Sequence, residues 1–186
     1  MKYISLDIET TCIDPKIPKN ILMLSMVVED TEHIEIPVEQ LPHFTCYFVN
    51  HDDIYTGNAY AISMNGWIFD IISGRGVANY KMYYIDGEDF KKDIKEFLFS
   101  NLGMGSHTLA GKNIAIFDYQ FLPDWLQRCF KKRMIDPGSV FLDFKKDECI
   151  KTLDDLKVEL GISGDITHDA HKDAMDVIRI LRKRYE

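Results

Sequence analysis

The hydrophobic and polar positions change period along the chain, and each change marks an element. From Lys2 to Glu9 the pattern alternates, with Ile4, Leu6 and Ile8 on one side and Tyr3, Ser5, Asp7 and Glu9 on the other. That period of two is the signature of a β-strand. Ile21 to Val28 is a continuous apolar run and Ile34 to Val38 a shorter one, so two more strands are expected. Between the first two lies TTCIDPKIPKN, whose two prolines mark a loop. His51 to Asp70 reads as mostly helical and Ser73 to Asn79 as a loop. Glu88 to Phe99 is an amphipathic helix, because Phe90, Ile94, Phe97 and Leu98 recur at helical spacing.

Thr108 to Ala110 is a short strand running into GKN, and Phe117 to Cys129 reads as a helix with Phe121, Leu122, Trp125 and Cys129 on one stripe. Ser139 to Phe144 is expected to add a further strand. Thr152 and Asp155 have the spacing of a capping box at the start of a helix that Gly161 stops. The last helix is expected from Asp169 to Arg184, with Ala170, Ala174, Val177, Ile178 and Leu181 facing inward. Strands first, then helices alternating with short strands, predict an α/β sandwich around a mixed sheet.

Composition narrows this picture. A chain of 186 residues that is 46% hydrophobic and 28% charged suits one globular domain, expected to span residues 1–186. Its formal net charge of −8 repels polyanions at a distance and argues against a general nucleic-acid coating protein. An enzyme whose carboxylates are covered by bound cations remains compatible with that charge. Cys12, Cys46, Cys129 and Cys149 show no CxxC spacing, so neither a zinc knuckle nor a disulfide scaffold is suggested. The acidic N-terminus MKYISLDIE lacks the apolar run of a signal peptide, and no segment approaches membrane-spanning length. An intracellular, cytoplasmic protein with no membrane partner is the expectation.

Asp7 and Glu9 lie two apart on a strand, so both leave the same face, where like charges repel and resist desolvation. Asp118 shares its expected helical stripe with Phe121, Leu122 and Trp125, and Asp173 is in line with Ala170, Val177 and Ile180. Both should look inward, where an acid without a partner is costly. The bland alternative is that Asp118 and Asp173 favour the positive ends of their helices. Three segments aiming carboxylates inward without Lys or Arg point instead to one shared metal site. Four acidic ligands suit Mg2+ or Mn2+, and two such ions roughly 4 Å apart serve in-line phosphoryl displacement.

The stretch THDAHKDAMD, Thr167 to Asp176, sits at the head of the last helix. His168, five residues before Asp173 and still in loop, can reach over the metals and take a proton from an attacking water. His171 is read as solvated and Asp169 as an N-cap or first-turn acid.

DIETT (Asp7 to Thr11), NIAIFDYQFL (Asn113 to Leu122) and HDAHKD (His168 to Asp173) resemble the three motifs of the DEDDh family of 3′-to-5′ exonucleases, in the same order and over nearly the whole chain. The tyrosine branch of that group places Tyr four before the last aspartate, where Asp169 stands here, so the histidine branch fits better. The resemblance implies a ribonuclease H-like three-layer fold, with a mixed central sheet of about five strands flanked by helices. It implies Asp7, Glu9, Asp118 and Asp173 as ligands of two Mg2+ or Mn2+ ions, and His168 as general base. The implied reaction releases nucleoside 5′-monophosphates from the 3′ end of single-stranded DNA or RNA. Polymerase proofreading subunits, oligoribonucleases, RNase T and phage exonucleases are members.

Thr10 and Asn113 become substrate-binding candidates through their places in the motifs. Trp67, with Phe69 and Tyr60, is a stacking candidate whose plain alternative is ordinary core. Lys131 to Arg133 and Arg179 to Arg184 supply cations that helix ends explain without a ligand. One departure is Cys12, where many members carry glycine after DxETT. Two other readings keep the fold: a non-catalytic docking module for a polymerase or other partner, and a phosphodiesterase for short oligonucleotides or small phosphoesters. A protein partner or a homodimer is compatible with any of these.

Overall fold

The computed structural model describes residues 1–16, 20–163 and 168–186. Ile17 to Lys19 of the expected loop and Thr167 of the histidine-rich stretch therefore lie outside the described residues. Strands β1 (Lys2–Thr10) and β2 (Ile21–Asp30) are followed by β3 (His43–Phe48), then by helices α1 (Ala59–Met64) and α2 (Gly66–Ile72). Strand β4 (Lys81–Tyr83), helix α3 (Glu88–Leu102) and strand β5 (Leu109–Ala110) come next. Four short helices, α4 (Asp118–Phe121), α5 (Asp124–Gln127), α6 (Pro137–Val140) and α7 (Leu153–Glu159), precede α8 (Ala170–Arg182).

The sheet is mixed, in the order β4-β3-β2-β1-β5. β1 is antiparallel to β2, and β2 to β3, whereas β5 lies parallel to β1 and β4 parallel to β3. Alternation along β1 divides two cores. Ile4, Leu6 and Ile8 pack with Phe90, Ile94 and Leu98 of α3 and with Phe121 and Leu126. Tyr3, on the other face, packs with Ala174, Val177, Ile178 and Leu181 of α8. Each such fully buried side chain contributes roughly 1.5–3 kcal/mol, so covering both faces holds β1 firmly at the centre of three layers. Asp7 and Glu9 lie on the α8 face.

Several expectations are corrected. Ile34 to Val38 is no strand: Pro37 removes a donor, and Val38–Gln40 is a single 3₁₀ turn. The third strand is His43–Phe48, which pairs with β2 from Met23 to Val27. Helix between His51 and Asp70 begins only at Ala59, where Asn58 accepts the Ala61 N–H, and α1 passes to α2 at Asn65. The expected helix from Phe117 to Cys129 is broken at Pro123 into α4 and α5. Ser139 to Phe144 is not a strand; Asp136 caps α6, with Pro137 in its first turn. The capping box of Thr152 and Asp155 is present in full, and Gly161 follows the helix at φ 66°.

Candidate metal centre

β1 delivers Asp7 and Glu9 to the face that α8 covers, and α8 delivers Asp173 from its first turn. One carboxylate oxygen from each of Asp7, Glu9 and Asp173 lies within 4.8 Å of the other two. The start of α8 is set locally. Asp169 accepts the N–H groups of His171 at 3.0 Å and Lys172 at 3.4 Å, an N-cap worth about 1 kcal/mol. The Asp173 N–H then closes the first helical bond to the Asp169 carbonyl.

Asp118 arrives by a different route. β5 ends at Ala110, so among the described residues no strand lies beside that edge of β1 beyond Ser5. Gly111 turns the chain away so tightly that a Cβ there would stand 2.7 Å from the Leu6 carbonyl oxygen. The loop returns at Asp118, whose Oδ1 accepts the free Ile8 N–H at 3.1 Å. Asp118, only 2% exposed, is thereby fixed to the residue between Asp7 and Glu9. The expected stripe holds over Asp118, Phe121 and Leu122, all buried, and this sheet-edge hydrogen bond fixes the carboxylate within it.

All four carboxyl groups stand above the usual carboxylate range. Burial raises Asp7 most, and Asp118, Asp173 and Glu9 then add their repulsion. Glu9 is pushed up to about 8 by burial and then by Asp173, against a hydrogen bond from Asn65. Burial lifts Asp118 to about 7, restrained by backbone N–H groups that include Ile8. Asp173 rises to about 6 through burial and Asp176, with Lys157 opposing. Hard oxygen donors converging from separate elements, with Asp118, Asp173 and Glu9 adding their negative charge beside Asp7, fit Mg2+ or Mn2+.

His168 lies immediately before the N-cap of α8, partly exposed, with its backbone at φ 43°. A left-handed backbone at a non-glycine residue is uncommon, and here it stands at the entry to the helix that carries Asp173. Thr10 ends β1, buried, its Oγ1 donating to the Cys12 carbonyl at 2.7 Å. Asn113 is exposed, at φ 55°, and its backbone N–H donates to Asp136. Trp67 is partly buried; its ring meets the edge of Tyr47, and it packs beside Leu22 and Met23. Cys12 is buried and its Sγ accepts from Asn20 at 3.1 Å. Among the described non-glycine residues only Asp53, Asn113 and His168 take positive φ, so the turn at Cys12 does not demand glycine.

A recess of about 160 Å³ opens beside Glu9, bordered by Thr10, Ile13, Tyr60, Met64 and Phe117. Tyr60 and Ile13 are exposed there, 75% and 78%, while Trp67 and Asn113 do not line it. A larger recess, about 710 Å³, follows α7 and α8, but Lys157, Arg179 and Arg182 on its wall are already paired with acids. Of the four acids, Glu9 lines the smaller one.

No family model matches the sequence, and no curated protein matches it. Solved structures do. Cell-death related nuclease 4 (CRN-4) superposes with a TM-score of 0.64 at 14% identity, over 98% of this chain and 62% of that one. E. coli Exonuclease I in complex with a dT13 oligonucleotide gives 0.65 at 17% identity, over 98% of this chain and 40% of that one. S. pombe Pop2p in its Mg2+ and Mn2+ bound form gives 0.60 at 14% identity, over 97% of this chain and 81% of that one. The fold is ribonuclease H-like. This chain thus spans less than two thirds of CRN-4 and of Exonuclease I. The ribonuclease H-like sheet puts Asp7 and Glu9 on β1, an interior strand between β2 and β5, and Asp173 on the helix packed against its face. Among the described residues, no helix is long and apolar enough to cross a membrane.

Sequence reasoning missed one group at the site. His171, read as solvated, is only partly exposed, with its Nδ1 3.1 Å from Ser25 Oγ and 3.2 Å from Thr45 Oγ1. The signal was present: His171, Ala174, Met175 and Ile178 share one helical face, and the last three are buried.

Proposed function

We propose that residues 1–186 act as one divalent-cation-dependent 3′-to-5′ exonuclease domain, hydrolysing single-stranded DNA or RNA to nucleoside 5′-monophosphates. The observation that carries this reading is the convergence of Asp7, Glu9 and Asp173 within 4.8 Å, with Asp118 tied to the backbone between the first two. These four would hold two Mg2+ or Mn2+ ions. When bound, such a pair lowers the pKa of a water nucleophile and stabilises the leaving oxygen. His168, partly exposed at the head of α8, serves as general base, taking a proton from the attacking water on an imidazole nitrogen. The recess beside Glu9 seats the terminal nucleotide, with Tyr60 and Ile13 as apolar walls and Thr10 at its edge. Trp67 and Asn113, which do not line that recess, are assigned no contact.

The Mg2+ and Mn2+ bound Pop2p and the oligonucleotide-bound Exonuclease I support both the cation and the single-stranded substrate. The test offers 5′-labelled DNA and RNA oligonucleotides of equal sequence, with Mn2+, beside EDTA and Asp7→Ala controls. A ladder shortening from the 3′ end, absent in both controls and absent on a circular single strand, is expected. Intact oligonucleotides of both kinds would contradict the reading, and cutting of the circle would make the protein an endonuclease.

A further inference from the structure

Asp7, Ser25 and Thr45 form one row across three strands, Asp7 facing Ser25 in the β1–β2 register and Ser25 facing Thr45 in the β2–β3 register. Directly opposed residues in a sheet send their side chains to the same face, with Cβ atoms about 5 Å apart. Here that face is the one α8 covers. Ser25, fully buried, and Thr45, 9% exposed, stand 2.8 Å apart through their hydroxyl oxygens. His171 Nδ1 completes a closed triangle with them, at 3.1 and 3.2 Å. The imidazole is clamped from outside by His43, ring centroids 4.5 Å apart, and by the edge of Tyr80 at 5.8 Å.

His171 lies in the same first turn of α8 as Asp173, three residues after His168. Elsewhere the far end of α8 is tied to β2 by the Arg182–Glu29 ion pair, and the stretch between is seated by apolar packing through Ala174, Val177, Ile178 and Leu181. Small apolar contacts set how close a helix sits but do not fix its rotation. A hydrogen-bonded triangle is directional and does. The first turn needs that restraint, because repulsion among Asp7, Glu9 and Asp173 pushes it away from β1.

We propose that His171 is a positioning residue: through Ser25 and Thr45 it locks the first turn of α8 to the strand row that begins at Asp7, and so holds Asp173 and His168 in register with Asp7 and Glu9. This rests on the metal-centre reading above. Groups that orient a metal ligand, without touching the metal, commonly control affinity by 10–100-fold.

The test follows the rise of melting temperature with added Mn2+, together with kcat and KM on a single-stranded oligonucleotide, for the wild type, His171→Ala, His171→Asn and Ser25→Ala. The amide of Asn can occupy the place of Nδ1, so His171→Asn keeps the triangle. His171→Ala is expected to raise the Mn2+ midpoint about tenfold, and to lower kcat with little change in KM. His171→Asn restores most of both, and Ser25→Ala moves them less in the same direction. A lower metal-free melting temperature with an unchanged Mn2+ midpoint and unchanged kcat would make His171 ordinary packing and overturn the proposal, leaving the metal centre standing. If His171→Ala does not fold, Ser25→Ala is judged by the same criterion. A wild type that Mn2+ does not stabilise overturns both readings.

Discussion

Helix α8 carries two carboxylates one turn apart, Asp173 and Asp176, and their surroundings are opposite. Asp176, 5% exposed, is met by Lys157 of α7 and by Arg179, which also reaches Glu39. Farther along the helix Arg182 pairs with the fully buried Glu29 of β2 at 2.8 Å. Burial still holds the Glu29 carboxyl above its ordinary range, so even a partnered acid is not free of cost there. Asp173 instead faces Asp7 and Glu9, with Asp118 behind them, and burial together with these neighbouring acids holds the Asp7 carboxyl well above its ordinary range. One region of the α8 interface is closed by the chain's own cations. The other gathers acids against one another, and on the proposed reading that difference separates a structural ion pair from a cation-binding site.

The sharpest way to break this comparison is to remove one charge in each region. Asp7→Asn should reduce nuclease activity to background while leaving the metal-free protein no less stable, because it removes repulsion. Labelled oligonucleotide cleavage and denaturant unfolding read the two halves of that statement. Arg182→Met should do the reverse, costing about 3 kcal/mol of stability by stranding Glu29, with activity retained in the folded fraction. Adding Glu29→Met should recover most of that loss, since an apolar pair can replace a buried ion pair. Unfolding curves of the single and double variants check this.

A smaller effect is expected from pH. The Glu9 carboxyl, ordinarily near 4.5, stands at about 8 in the folded protein, and Asp118 at about 7. Through neutral pH the folded protein keeps protons that the unfolded chain has released, so stability falls as pH rises. His107 and His171, held below their ordinary value by burial, act oppositely as pH falls through 6.5. From pH 6.5 to 8 the carboxylates dominate, since the opposing histidine effect is largely complete by about pH 7.5. Metal-free melting temperature should drop across it by on the order of 5 °C, and saturating Mg2+ should abolish the drop. A flat profile without metal would contradict the charge picture.

Much of this arrangement is written in short-range pattern. Alternation in KYISLDIE places Asp7 and Glu9 on one face, and the stripe from Ala170 to Leu181 turns α8 the right way, because side-chain direction in a regular element follows from its period. The misread segments all carried a local signal that outweighed their apolar pattern: Pro37 against the strand at Ile34, Pro123 against a continuous helix, and Asp136–Pro137 against the strand at Ser139. Asp118 shows a different limit. The hydrogen bond that fixes its carboxylate depends on β5 ending early and on Gly111 packing against Leu6, both relations between segments about a hundred residues apart. The triangle of Ser25, Thr45 and His171 is of the same kind, since strand register is decided across the sheet and not within a strand.

The central claim, that the unpaired acids exist to bind divalent cations, is tested most directly by calorimetric titration of Mn2+ into the metal-free protein at pH 7, in two buffers of different ionisation enthalpy. Saturable binding of two ions, with protons released as the raised carboxyl groups ionise, and loss of that binding in Asp7→Asn but not in Arg182→Met/Glu29→Met, is the predicted result. Absence of binding heat, or binding that survives Asp7→Asn unchanged, would contradict it.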